Sequence, residues 1–212
     1  MTVHAQSRYK RLMFFSAAPA NPIFKPVLVY EPVMLRPGVA ADFEAWQALR
    51  EASREHLIRW EENWTPAQAS QAAFKRRLAA YQHEARRGGG LSLLSFRQAD
   101  GALVGGATLT NIRYGASRSA ILGYWVGAPF VRKGYGAAGL KALAAHAFDR
   151  IGLNRLVAAC QPENIASQKL LERCGFNREG LARDYLRING EWRDHLIYAA
   201  IAAEHDTSAP TS

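Results

Sequence analysis

Ala120-Ile-Leu-Gly-Tyr-Trp-Val-Gly-Ala-Pro-Phe-Val-Arg-Lys-Gly-Tyr-Gly-Ala-Ala-Gly139 is the stretch on which the fold turns. Ile121 to Val126 is apolar, aromatic and β-branched, the composition of a buried strand. Pro129 lacks the backbone donor that a ladder needs, so the strand is predicted to stop near Gly127. Gly134 and Gly136 follow, and without a Cβ they let the backbone turn sharply and present successive N–H groups. A helix is predicted from near Ala137 to Arg150, with Leu140, Leu143, Ala144, Ala147 and Phe148 along one face. Its unpaired first N–H groups and positive dipole end, with Arg132 and Lys133 beside them, suit a phosphate or pyrophosphate. The plainer alternative is a glycine-rich strand-to-helix turn that holds nothing.

Gly134-Tyr-Gly-Ala-Ala-Gly139 matches the Gly-x-Gly-x-x-Gly pattern of dinucleotide sites. Such a fold places that loop early and follows it with further strand–helix units, whereas about seventy residues remain here. No Gly-Lys-Ser/Thr closes the loop, which disfavours a phosphate-loop NTPase.

Upstream, Val27–Tyr30 and Val33–Arg36 read as strand runs interrupted at Pro32. Asp42 to Leu57 reads as one helix, and Thr65-Pro66 as the capped start of another that ends at Gly88-Gly-Gly90. Lys75, Arg76, Arg77, Arg86 and Arg87 give the second helix a basic face, either solvated or in contact with RNA. Leu91–Arg97 and Leu103–Ile112 flank Asp100-Gly101 as a hairpin, and Ser119–Val126 is a third strand. Downstream come a strand at Arg155–Cys160, a helix from Asn164 to Arg173, and a hairpin of Leu181–Ile188 and Glu191–Ala200 around Asn189-Gly190.

At 212 residues the chain is long enough for one full core. With 27 Lys and Arg against 18 Asp and Glu, its net charge of +9 either favours anionic partners or reflects a basic solvated surface. Cys160 and Cys174 make neither a disulfide framework nor a metal site, so no metal is expected, and a reducing cytoplasm is the simplest setting. No apolar run reaches the length of a membrane span. Leu12 to Ala18, after Arg8, Lys10 and Arg11, has some likeness to a short secretory signal but is read as part of an irregular extension.

On these residues the chain resembles the GNAT family of N-acetyltransferases. Tyr124-Trp-Val-x-x-x-Phe-x-x-Lys-Gly-Tyr-Gly136 is similar to that family's acetyl-coenzyme A loop, whose pattern is Gln/Arg-x-x-Gly-x-Gly/Ala. Val131 stands at the Gln/Arg position, so the match rests on Gly134 and Gly136 with Arg132 and Lys133 supplying charge. The resemblance implies an α/β (α+β) fold, a mixed, mostly antiparallel sheet splayed at the acetyl-coenzyme A site with helices on both faces. The order β-α-α-β-β-β-α-β-α-β-β covers residues 27–201 as a single domain, between an extension at 1–26 and a polar tail at 202–212.

The family's chemistry is direct attack of an amine on a thioester, which needs an oxyanion stabiliser, a path for the amine proton and a proton for the thiolate. The resemblance implies that the backbone of Tyr124, Trp125 and Val126 faces the acetyl carbonyl. It implies that Val131, Arg132, Lys133, Gly134, Tyr135, Gly136 and Ala137 hold the pyrophosphate. Pro162-Glu-Asn-Ile-Ala-Ser-Gln-Lys-Leu-Leu-Glu-Arg-Cys-Gly-Phe176 resembles the RimJ/RimL branch, the ribosomal-protein N-terminal alanine acetyltransferases. That match implies that Asn164 bonds cofactor amides and that Ser167 protonates the thiolate, Leu171 standing where many family members carry a tyrosine acid. Plain helix capping is the alternative for both polar residues. Glu179-Gly-Leu-Ala-Arg-Asp-Tyr-Leu-Arg-Ile-Asn-Gly-Glu-Trp-Arg-Asp-His195 is similar to the RimJ type and puts Asp184 near a carboxylate that takes the amine proton.

His56-Leu-x-x-Trp60, followed by Glu61 and Glu62, matches the segment bordering the peptide entrance, where one carboxylate recognises or deprotonates the amine or both are solvated. His146 and His195 read as structural. The expectation is an acetyl-CoA-dependent enzyme acting on the N-terminal alanine of a small-subunit ribosomal protein. It is expected to work as monomer or homodimer, with no membrane and no sequence-specific nucleic-acid partner. Acetylation of a small amine, and a non-catalytic coenzyme A-binding or ribosome-assembly module, are the alternatives.

Overall fold

The computed structural model describes residues 26–61 and 65–204, so readings on 1–25, Glu62 and 205–212 lie outside the described residues. Its strands are β1 (Leu28–Tyr30), β2 (Val33–Arg36), β3 (Leu91–Arg97), β4 (Leu103–Arg113), β5 (Ser119–Val126), β6 (Arg155–Cys160), β7 (Asn177–Ile188) and β8 (Glu191–Ile201). They form one sheet in the order β1-β2-β3-β4-β5-β6-β8-β7. Every neighbouring pair is antiparallel except β5 and β6. The helices are α1 (Phe43–Ala52), α2 (Arg54–Leu57), α3 (Gln71–Arg86), α4 (Tyr135–Ala145) and α5 (Ile165–Arg173).

Side chains of β5 alternate between two apolar clusters, because successive residues of a strand point to opposite faces. Ala120 and Leu122 join Leu140, Leu143, Ala144, Leu171 and Phe176 in the larger one. Trp125 packs with Trp46, Leu49 and Phe74, of α1 and α3, in the smaller. Leu143, Ala147 and Leu171 have no exposed surface, so the apolar face expected of α4 is the one it buries. Each fully buried leucine of this kind contributes about 2 kcal/mol.

Several predicted boundaries shift, each for a local reason. The leading strand is a hairpin, since the turn at Glu31-Pro32 folds β1 back on β2 with Tyr30 opposite Val33. The single helix predicted from Asp42 to Leu57 is interrupted at Ser53, whose buried Oγ accepts the Ala128 N–H at 2.9 Å. Thr65 opens only a short 3-10 turn, and α3 begins after Ser70, whose Oγ accepts the Ala73 N–H at 3.2 Å. After α4, His146–Arg150 winds as a π-helix, with the Ile151 N–H donated to the His146 carbonyl at 3.1 Å. β7 starts four residues before the expected Leu181, and 202–204 form a 3-10 turn in place of tail.

Candidate active site

β5 and β6 pair only over Ser119–Ile121 and Arg155–Val157, and then part. β6 stays paired to β8 as far as Cys160 opposite Leu196, and β5 to β4 as far as Val126 opposite Gly105. The result is a wedge open toward the C-terminal ends of both strands. Gly127 donates its N–H to the Val104 carbonyl, and the β4–β5 register is unbroken back to Ile121. N–H groups alternate in direction along a strand, so those of Trp125 and Gly123 face β4 while those of Tyr124 and Val126 face the wedge. An N–H left without a ladder partner in a gap inside a sheet is what a carbonyl oxygen acquiring charge requires, and with about 6.6 Å between alternate N–H groups of a strand, each of the two can serve a different ligand oxygen.

The strand leaves the wedge through a 3-10 turn, Ala128–Phe130. The predicted helix start near Ala137 is corrected to Tyr135, with Gly134 as N-cap at φ 84°, a conformation glycine adopts without strain. Gly136 therefore belongs to the first turn of α4, where its missing Cβ permits close packing. A Cβ there would lie 3.1 Å from Val126 Cγ2 and 3.2 Å from Leu170 Cδ2. Arg132 also has a positive φ, 60°, and Arg132, Lys133 and Gly134 are exposed around the helix N-terminus. Val131 is half-buried and donates its N–H to the Ala128 carbonyl, while Ala137, also half-buried, offers its carbonyl to the Cys174 thiol at 3.8 Å.

Cationic groups gather there: Lys133 Nζ lies 5.9 Å and Arg97 Cζ 5.4 Å from the Phe130 ring centre. Arg97 also reaches the Tyr135 hydroxyl at 3.5 Å and pairs with Asp100. Gly134 has open space where a Cβ would stand, and α4 leaves its first N–H groups without helical partners. These features fit a pyrophosphate.

Asn164 caps α5, its Oδ1 accepting the Ser167 N–H at 3.0 Å. With the oxygen so engaged, Asn164 retains its amide NH2 for a ligand. Ser167 Oγ lies 2.6 Å from the Tyr124 hydroxyl, so α5 and β5 meet across the wedge through these two side chains. Burial raises the Tyr124 pKa above that of a free phenol, against a smaller lowering by Ser167. Burial likewise raises Cys160 and pushes Cys174 up to about 11. Both thiols are buried and free, and burial favours their neutral form.

A groove of about 570 Å³ lies between α2 and the start of α5, lined by Glu55, His56, Arg59, Trp60, Glu163 and Asn164 among others. Two side chains hold the segment after α2 by its carbonyls. Gln161 Nε2 donates to Arg59 at 3.1 Å, and Asn189 Nδ2, from the β7–β8 turn, to Ile58 at 2.6 Å.

Glu61 forms a two-pronged ion pair with Arg50, which is 7% exposed and lies 4.9 Å from the Trp125 ring centre. Both carboxylate oxygens of Glu61 are thus engaged by one guanidinium, which fixes the side chain beside Trp125. Asp184 sits at φ 47° in the bulge of β7 between Ala182 and Leu186, exposed, its N–H donated to Asp194 Oδ1 at 2.9 Å. Among the described residues it has no ion partner and no bond to Ser167 or Glu61. His195 is buried with Nδ1 on the Arg193 carbonyl at 2.9 Å. No group of three or more His, Cys, Asp or Glu among the described residues is placed to hold a metal, and no described helix is long and apolar enough to cross a membrane.

Arg50, Gln161, Asn189, Ser53 and the Tyr124 hydroxyl all escaped sequence reasoning. Each acts on a partner 11 to 131 residues away, and the motifs that contain Tyr124 and Asn189 say nothing of these contacts.

Residues 33–177 match the family model described as an acetyltransferase (GNAT) domain. A probable N-acetyltransferase of Bacillus subtilis, YjcK, is 31% identical over 60% of this chain and 70% of its own. The [ribosomal protein uS5]-alanine N-acetyltransferase of Escherichia coli is 29% identical over 74% of this chain and 82% of its own. The structure of Mycobacterium smegmatis RimJ in complex with CoA-disulfide is similar at 34% identity and a TM-score of 0.78, covering 88% of this chain and 89% of that one. The splayed sheet, the cradle and the matched residues together make this chain a member of the GNAT family, acetyltransferases that take their acetyl group from acetyl-CoA.

Proposed function

We propose that the chain acetylates the N-terminal alanine amine of a small-subunit ribosomal protein. Two observations support this reading: the wedge, where donors for a carbonyl oxygen and the Ser167 hydroxyl converge, and the likeness to the Escherichia coli enzyme named for uS5 alanine. One of the two wedge-facing N–H groups, of Tyr124 or Val126, stabilises the thioester oxygen as charge develops on it, and the other is left for an amide carbonyl of the pantetheine arm. Backbone N–H groups from Lys133 to Ala137, with the Arg132 and Lys133 side chains, hold the pyrophosphate, and the Asn164 NH2 serves the amides of the arm. The amine nitrogen forms a bond to the acetyl carbon and loses a proton, the carbon–sulfur bond breaks, and sulfur gains a proton delivered through Ser167. Asp184, whose carboxylate is open to solvent, receives the amine proton through water, while Arg50 and Glu61 keep the wall beside Trp125 in place. The net charge of +9 suits an acceptor displayed on a ribonucleoprotein surface.

The test is intact-mass profiling of ribosomal proteins from cells with and without the gene, followed by assay of the purified chain with acetyl-CoA. One small-subunit protein lacking an acetyl group only in the deletion supports the reading. An unchanged profile beside a purified protein that acetylates small amines would replace the acceptor and leave the family untouched.

A further inference from the structure

Tyr124 contributes a backbone N–H to the wedge and a hydroxyl to Ser167, so one residue faces both reacting ends of a thioester. Two O–H groups 2.6 Å apart share one proton between them, and the question is which oxygen owns it. A phenol is the stronger acid and the poorer acceptor of the two. The Tyr124 hydroxyl also lies 3.4 Å from the Ser167 carbonyl, a long contact that competes only weakly with Oγ at 2.6 Å for the phenol's single proton. The Ser167 backbone is fixed separately, its N–H on Asn164 Oδ1 at 3.0 Å. What Tyr124 adds is the rotamer and the hydrogen direction of the serine side chain.

We propose that Tyr124 is a positioning residue whose hydroxyl donates to Ser167 Oγ and so frees the single Ser167 proton for the sulfur of the departing thiolate. The inference rests on the reading that Ser167 serves the sulfur. Were the bond reversed, Ser167 would give its proton to the phenol and present only lone pairs to a negative sulfur. Burial among apolar side chains keeps the phenol in its neutral, donating form at working pH.

Tyr124→Phe keeps the ring and removes only the hydroxyl. With acetyl-CoA and an alanine-initiated peptide acceptor, kcat is expected to fall roughly 10- to 100-fold, the effect of losing a hydrogen bond to a group acting on charge. The dissociation constant for coenzyme A is expected to stay within about twofold, which a packing defect would not allow. Ser167→Ala should lose at least as much, and Tyr124→Phe in the Ser167→Ala background should lose nothing further.

An unimpaired Tyr124→Phe beside an impaired Ser167→Ala overturns the inference alone. An unimpaired Ser167→Ala overturns the serine reading and the inference with it. Multiplying losses also overturn it, since Tyr124 would then act independently of Ser167. Should Tyr124→Phe fail to fold, 3-fluorotyrosine at position 124 preserves the shape with a more acidic donor. Activity at or above that of the unsubstituted enzyme is expected there, and a loss equal to that of Ser167→Ala counts against the donor role.

Discussion

On the side of the wedge made by β5 and α4, the groups facing a ligand are backbone N–H groups, and the residues that matter are those that shape the backbone, Gly134 above all. On the side made by α2, the segment after it and the β7–β8 turn, the wall is held by side chains that bridge distant parts of the chain. Arg50 binds Glu61, Gln161 binds the Arg59 carbonyl, and Asn189 binds the Ile58 carbonyl. A backbone cradle recognises what every acetyl-CoA carries, so it tolerates changes in most of its side chains. A wall of side-chain ties can be rebuilt one tie at a time, and under the proposed function it is the part expected to bear on the acceptor.

The sharpest way to break this contrast is Arg50→Ala, which strips a buried partner from Glu61 and the cation from the Trp125 face. We expect a loss of about 3 kcal/mol. In a chain of this size that lowers Tm by roughly 6–12 °C. KM for the acceptor should rise while coenzyme A affinity holds, and isothermal titration against steady-state kinetics separates the two. Equal damage to both would mean that the two sides are one unit.

Gly134→Val is the converse experiment. A β-branched residue at φ 84° is strained by about 2 kcal/mol even though a Cβ meets nothing within 4 Å. Coenzyme A binding should weaken roughly tenfold or more as the loop relaxes, with acceptor KM unchanged.

Asn189→Ala removes one hydrogen bond from the far end of the groove and should cost about 1 kcal/mol, read as a modest rise in acceptor KM alone.

The smallest effect lies on the cradle side. Hydrogen bonding from Arg97 and the Ala102 N–H holds the Asp100 carboxyl at about 2, below its unfolded value. The stability it confers is present above about pH 4 and is lost as pH falls toward 2. Following the Asp100 carboxyl carbon by NMR should give that low midpoint, and Arg97→Gln should return it to the ordinary range. Because the pair is exposed, added salt should weaken it.

The same contrast explains what the sequence made legible. β3, β5 and β6 lie where apolar alternation and bounding turns placed them, at Leu91–Arg97, Ser119–Val126 and Arg155–Cys160, because strand composition and glycine or proline punctuation are local signals. The cradle was legible for the same reason, although the role of Gly136 was not, since its demand comes from Leu170 on another helix. Ser53 left no mark on the helical pattern around it, and its partner Ala128 lies 75 residues away. Gln161 and Arg59 are 102 residues apart, Asn189 and Ile58 131. Glu61 read as a candidate base because a carboxylate beside His56 and Trp60 suggests one, and only the fold brings Arg50 onto it.

The early parting of β5 and β6 also bears on amide exchange. Central strands of a sheet are ordinarily its slowest to exchange with deuterium, because every N–H is locked in the ladder. Here Gly123 and Trp125 keep that protection, while the N–H groups of Tyr124 and Val126 face the gap left by β6 and are expected to exchange faster. A single strand thus alternates slow and fast amides, and filling the wedge should slow only the fast pair. Those two signals report occupancy from the middle of the molecule, without a label and without turnover.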